Sequence, residues 1–150
     1  MVAPDDVTEG CLSYLQAHRV ITLATQGRAG LWAAAVFYAS EQFELYFLSA
    51  PNTRHALNLA DTPRAAGTIH EDYANWRVIK GIQLEGPVQH LRGVERRAAV
   101  ECYARKFPFL RNAPEAIVRA LQGVEWFSLV PDRLYFIDND RGFGHRDRIL

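Results

Sequence analysis

The chain has 150 residues, 49% hydrophobic and 23% charged, enough for a sizeable core in one domain spanning 1–150 with no room for a second. Lysine plus arginine and aspartate plus glutamate both number 17, so no net field draws in nucleic acid or an anionic membrane, and both partner classes are set aside. No apolar run approaches the ~20 residues of a membrane span. The start, Met1-Val2-Ala3-Pro4-Asp5-Asp6, lacks the basic and apolar regions of a leader. Cys11 and Cys102 stand apart without CxxC or His spacing, so the expectation is a soluble, cytoplasmic protein with two buried thiols and no metal site.

Asp6-Val7-Thr8-Glu9 has the D-x-x-E form of a capping box, and Val7, Cys11 and Leu15 recur at i+4 with Leu12 beside them. This spacing predicts an amphipathic helix ending near His18. Val20 to Thr25 is β-branched and apolar, Gln26 to Gly30 turns, and Trp32 to Ala39 resumes an extended apolar run, which together predict a hairpin. A third strand is expected from Phe43 to Ser49, then a short helix from about Thr53 to Ala60 that Pro63 ends. Arg64 to His70 reads as a fourth strand. After the loop Glu71 to Trp76, Val78 to Leu91 reads as a long strand whose Gly81 and Gly86-Pro87 suggest bulges or barrel corners.

Val94, Ala98 and Cys102 form one i+4 row and Ala99, Tyr103 and Phe107 another, predicting a helix from Val94 to Lys106. A short helix with apolar Ile117, Ala120 and Leu121 follows Pro114, and Gly123 closes it. Strands over Glu125–Val130 and Leu134–Asp138 meet at Pro131-Asp132. The Asn139–Leu150 tail reads as a flexible end, or as a segment that folds over a ligand. Short antiparallel strands with glycine corners and peripheral helices point to a mainly β protein, a small β-barrel. No G-x-G-x-x-G or G-K-[ST] supports dinucleotide or P-loop chemistry.

The stretch Ser49-Ala50-Pro51-Asn52-Thr53-Arg54-His55 carries the most chemistry. Thr53 is placed to cap the helix, whose free N–H groups and dipole point at the turn, and Arg54 and His55 add donors. Basic residues in a first helical turn oppose the macrodipole, so a negative group, such as a phosphate, would offset them. An ordinary surface helix start has the same outline.

The order of the Val20–Thr25 strand, glycine turn, Trp32–Phe37, Leu45-Tyr46-Phe47-Leu48-Ser49, Thr53-Arg54-His55, Asn58-Leu59, Pro63 and Ile82–Gly86 resembles the pyridoxamine 5'-phosphate oxidase-like FMN-binding split barrels, in particular a small bacterial branch. The resemblance implies a homodimeric flavoprotein with FMN at the subunit interface, acting as an oxidoreductase on an unidentified small molecule. It assigns Thr53, Arg54 and His55 to the FMN phosphate, with histidine where the family has lysine, and Leu48 and Ser49 to the isoalloxazine edge. The backbone of Ala33, Ala34, Ala35 and Val36 would lie along the flavin, and Trp76, Lys80 and Gln83 would come from the second subunit. Each of these three also has a plain reading: a dimer anchor, a solvated strand residue and an interior polar group. Asp72, His70 and Glu71 could move protons, although an acidic surface loop is the simpler reading; no catalytic residue is assigned. The tail offers only Gly144-His145-Arg146-Asp147-Arg148 where the vitamin B6 enzymes carry basic substrate residues. Deazaflavin binding, a haem-binding or haem-degrading barrel with His145 or His70 as axial ligand, and a non-catalytic flavin-binding dimer module stay open.

Overall fold

The computed structural model describes residues 4–150. Met1, Val2 and Ala3, on which the expectation of a missing leader partly rests, lie outside the described residues. Among the described residues no helix is long and apolar enough to cross a membrane.

Helix α1 runs Pro4–Ala17. Asp5 and Asp6 sit in its first turn, where their charge favours the positive end of the dipole, so Asp6 lies within the helix rather than capping it. Cys11, Tyr14 and Leu15 face the core. Strands β1 (Val20–Gly27) and β2 (Gly30–Phe37) pair from Val20↔Phe37 to Gly27↔Gly30, leaving Arg28-Ala29 as the turn, shorter than the expected Gln26–Gly30. The apolar run breaks at Tyr38, and Ala39–Glu41 forms a separate short strand, β3, before β4 (Glu44–Ser49). Then come α2 (Arg54–Asp61), β5 (Arg64–His70), β6 (Lys80–His90), α3 (Gly93–Lys106), α4 (Glu115–Gln122), β7 (Glu125–Leu129), β8 (Arg133–Asp138) and β9 (Arg146–Arg148).

The strands form one curled antiparallel sheet in the order β2-β1-β5-β6-β7-β4-β3, with β8 on β6 and β9 on β8, which is the architecture of a split barrel. The split occurs within β6. Its Lys80–Glu85 part pairs with β8, and β5 runs beside it from Gly81 to Pro87, whereas Val88–His90 pairs with β7. Gly86 stands where the strand changes partners. A Cβ there would come within 2.8 Å of the Pro131 Cα and closer still to the Val130 carbonyl oxygen, so a side chain would push the β7–β8 connection away. Gly81, the other expected interruption, keeps regular register with His70 and Ile137 and makes no bulge.

Both faces of β4 are covered. Leu45 and Phe47 join Leu15, Ile21, Leu23, Ile82 and Leu134 inside the barrel, while Tyr46 joins Ala99, Tyr103, Phe107 and Trp126 beneath α3. Of the two predicted α3 rows, only Ala99-Tyr103-Phe107 is buried throughout; Val94 and Ala98 are exposed, and Cys102 alone of its row turns inward. In α4, Ile117 and Ala120 are likewise exposed and Leu121 is half-buried. The tail is ordered structure: β9 pairs with β8, Ile149 N donates to Leu134 O at 2.9 Å, and Ile149 and Leu150 pack on the barrel core. Apolar residues at the far end of a polar stretch anchor it, which corrects the expectation of a flexible end. The two cysteines are free and buried, and burial pushes the Cys11 thiol up to about 12.

Candidate functional site

The site grows from the junction of β4 and α2. Thr53, in extended conformation, is the N-cap: its Oγ1 accepts from Ala56 N at 3.3 Å and donates to Ala50 O at 3.0 Å. The N–H groups of Arg54 and His55 precede the first in-helix acceptor and open toward the turn. Ser49 Oγ lies 2.7 Å from Thr53 Oγ1 and 2.7 Å from His55 Nε2. With a proton on His55 Nε2, one chain of donation runs from His55 to Ser49 to Thr53 to the Ala50 carbonyl. The imidazole is buried behind the turn, and that burial lowers its pKa below the ordinary value of 6.5. Near neutral pH the ring is uncharged, and a hydroxyl would serve an anion at this turn only by turning its proton out of the chain, Thr53 Oγ1 away from Ala50 O.

Arg54 points the other way, over the β1–β2 turn. Its guanidinium donates to Ala29 O and lies 5.0 Å from the Trp32 ring centroid, yet its Nε is buried with no protein partner. A charged donor removed from water without an acceptor is costly, and an incoming anion would satisfy it. Asn58, buried one turn further along α2, donates to Thr25 Oγ1 and Gly30 O, both at 3.2 Å, and so clamps the helix to the hairpin that carries Trp32. Gly27 permits that contact, because a Cβ there would stand 2.5 Å from Asn58 Oδ1 and 2.9 Å from its Cα. Asn58 and Trp32 were absent from the expected site residues; the adjacency of Asn58-Leu59 to Pro63 was the available signal for the first, and nothing local marks the second.

The other expected residues divide by strand parity. Register places Ala35, Thr22, Thr68, Gln83 and Tyr135 in one row across five strands, and Ala33, Ala24, Ala66 and Glu85 in the next, all on the outer face of the sheet. The result is an outer surface of small residues, alanine and threonine, bordered by polar groups. Ala34 and Val36 alternate to the inner side, where Val36 packs on the core. Leu48 packs beneath α3. Lys80 shares the parity of Ile82 and Leu84 and so turns to the opposite face from Gln83. It borders a cleft of about 520 Å3 against α1, with Tyr14, His18 and Phe136, and its Nζ lies 3.7 Å from Asp140 Oδ2. Trp76 is half exposed, edge-on to Phe143 at 5.5 Å, with Asn139 Nδ2 donating to its carbonyl at 2.7 Å. Within one protomer these contacts of Trp76 and Lys80 run to the tail and α1, away from the Ser49–Arg54 turn.

The sign of the His55 shift sets a pH dependence. Folding favours the neutral ring, so its contribution to stability is fully present above about pH 6.5 and is lost as pH falls through the lowered folded-state value. Urea midpoints are expected to drop across that acid interval in the native protein and to drop less in His55→Gln. Equal slopes in the two would show that another group controls the loss.

No family model matches the chain. A UPF0306 protein of Enterobacter sp. (strain 638) is 32% identical over 135 residues, covering 89% of both chains. Among solved structures, a heme binding protein from Mycobacterium smegmatis superposes with a TM-score of 0.78 at 20% identity, covering 99% of this chain and 58% of that one. A candidate pyridoxamine 5'-phosphate oxidase from Listeria innocua superposes at 0.70 with 12% identity, covering 89% of this chain and 99% of that one. At these identities the two superpositions establish the split-barrel fold.

Proposed function

The chain belongs to the UPF0306 family, and on that footing we propose that it binds FMN with the phosphate at the Ser49–Arg54 turn and serves as a flavin-dependent oxidoreductase acting on a small molecule. The observation that carries this reading is the buried, unpartnered Nε of Arg54, the first residue of α2, whose N-terminal N–H groups open at the Thr53 cap. The donor set suits a phosphate: a guanidinium, hydroxyls and backbone N–H groups, with a neutral histidine behind them. When bound, flavin supplies the hydride or electron chemistry itself. Thr53, Ser49 and Arg54 would hold the phosphate, and the small residues on the outer face of β2, β1 and β5 would leave room for the ring.

A second copy of this chain completes the same proposal. Leu31, Ala33, Ala35 and Phe37 form an apolar row along the outside of β2, with Leu31 77% and Phe37 52% exposed. Gln83 shares that face, so a homodimer packed there could bring it to a flavin held by its partner. Leu31→Asp is expected to yield monomers by light scattering and to lose FMN together with the dimer. Monomers that still hold FMN tightly would refute the interfacial site. Cytoplasmic residence belongs with this reading, on the evidence of two free, buried thiols.

A haem reading has one specific observation in its favour besides the Mycobacterium smegmatis neighbour. His145 Nε2 lies 3.0 Å from Asp147 Oδ2, and a carboxylate on that nitrogen would orient and strengthen the imidazole as a ligand through Nδ1. Titrating the purified protein separately with FMN and hemin distinguishes the two. Saturable flavin binding, followed by quenching of flavin fluorescence, supports the FMN reading; a stoichiometric Soret band that His145→Ala abolishes, with no flavin binding, replaces it.

A further inference from the structure

The 17 basic residues include only two lysines, Lys80 and Lys106, and the two occupy different settings. Lys80 has the Asp140 carboxylate at 3.7 Å. Lys106, in the last turn of α3, is partly buried: its Nζ donates to His18 O and rests 4.1 Å from the centroid of the Tyr38 ring. Among the described residues no carboxylate stands within ion-pair distance of it. The amine borders a cavity of about 440 Å3 between α3 and β3, a size suited to a small ligand, whose walls include Gln16, Ser40, Glu41, Gln42 and Arg105.

We propose that Lys106 is a nucleophilic amine that captures a small, polar, anionic aldehyde in this cavity as a reversible imine. The amine nitrogen adds to the carbonyl carbon, forming a C–N bond. The carbinolamine then loses its oxygen as water, taking the nitrogen's protons with it, and leaves C=N with no change in oxidation state. Arg105 supplies the charge for the anionic group. An arginine at position 106 would stay protonated at any working pH, whereas a lysine can release its proton and act. Burial and a neighbouring cation favour that release, against the Tyr38 ring face and the His18 carbonyl, which favour the ammonium. Burial and the nearby Arg19 bring the Lys106 ammonium down to about 8, opposed weakly by Cys102. Arg105 on the same helix is cationic, Glu41 on β3 is the carboxylate of the cavity wall, and the Tyr38 hydroxyl is occupied by the Leu15 carbonyl.

Glyoxylate, the smallest aldehyde of this class, serves as the probe, with cyanoborohydride to fix any imine and peptide mapping to locate it. Near neutral pH the folded protein should be modified at Lys106 about tenfold or more faster than at Lys80. Arg105→Gln should slow glyoxylate modification of Lys106 several-fold and leave modification by uncharged propionaldehyde unchanged. Equal modification of both lysines, or modification of Lys80 alone, would overturn the proposal and leave Lys106 a structural tie. Equal slowing of both aldehydes by Arg105→Gln would overturn the role of the anionic group. The cavity shares no residue with the Ser49–Arg54 turn, so neither result bears on flavin binding.

Discussion

Gly27→Ala is expected to destabilise the fold by about 2–3 kcal/mol, the cost of overpacking a site that has little freedom to relax. The added methyl would meet Asn58 Oδ1 at 2.5 Å, Asn58 Cα at 2.9 Å and Asp61 Oδ2 at 3.0 Å. The side-chain oxygens have some freedom to yield; the Cα moves only with the helix. Asn58 is also held from the hairpin side by Thr25 and Gly30, so a shift of α2 strains two further hydrogen bonds. Because α2 begins at Arg54, the same shift displaces Thr53 and Arg54 from Ser49 and Trp32. Denaturant unfolding should show the lost stability, and FMN affinity should fall with it even under conditions where the variant is fully folded. A variant that lost stability while keeping native affinity would show that α2 and the turn move independently.

Arg54→Ala is expected to weaken FMN binding by about 1.5–3 kcal/mol, the range for a hydrogen bond to a charged group. That is roughly a 10- to 150-fold rise in Kd, read by flavin fluorescence titration. Removing the side chain also removes a buried donor that has no protein partner, so the apo fold loses little beyond the Ala29 contact and the Trp32 stacking. The variant should therefore separate ligand affinity from stability, which Gly27→Ala does not. Arg54→Lys restores the charge but not the planar fork, and an intermediate affinity is expected. Native affinity in Arg54→Ala would remove the phosphate from this turn.

The Ser49–Arg54 turn was legible as local structure because its determinants are local. Thr53 at the N-cap, the α2 span and the stop at Pro63 all follow from neighbours in sequence, and β5 matches its expected limits. The direction of His55 did not follow, because it depends on Ser49 reaching back from a different element. The family resemblance grouped Lys80 with Gln83, although an odd separation of three along a strand puts them on opposite faces. The apolar pattern of α3 held two candidate faces, and only packing against Trp126 and Tyr46 chose between them. The tail read as a loose end because its polar residues dominate its composition. Its last two residues hold it in place through contacts with a strand more than ten positions earlier.

The stacking of Arg54 on Trp32 gives the turn an optical reporter of its own. Trp126 is buried under α3 and Trp76 sits by the tail, whereas the Trp32 indole lies half exposed beside the guanidinium. Indole emission overlaps the near-ultraviolet absorption of an oxidised isoalloxazine, so a flavin seated at this turn should draw energy from Trp32 before the other two. In Trp76→Phe the remaining exposed indole is the one at the turn, which makes intrinsic emission a label-free measure of when that place is filled.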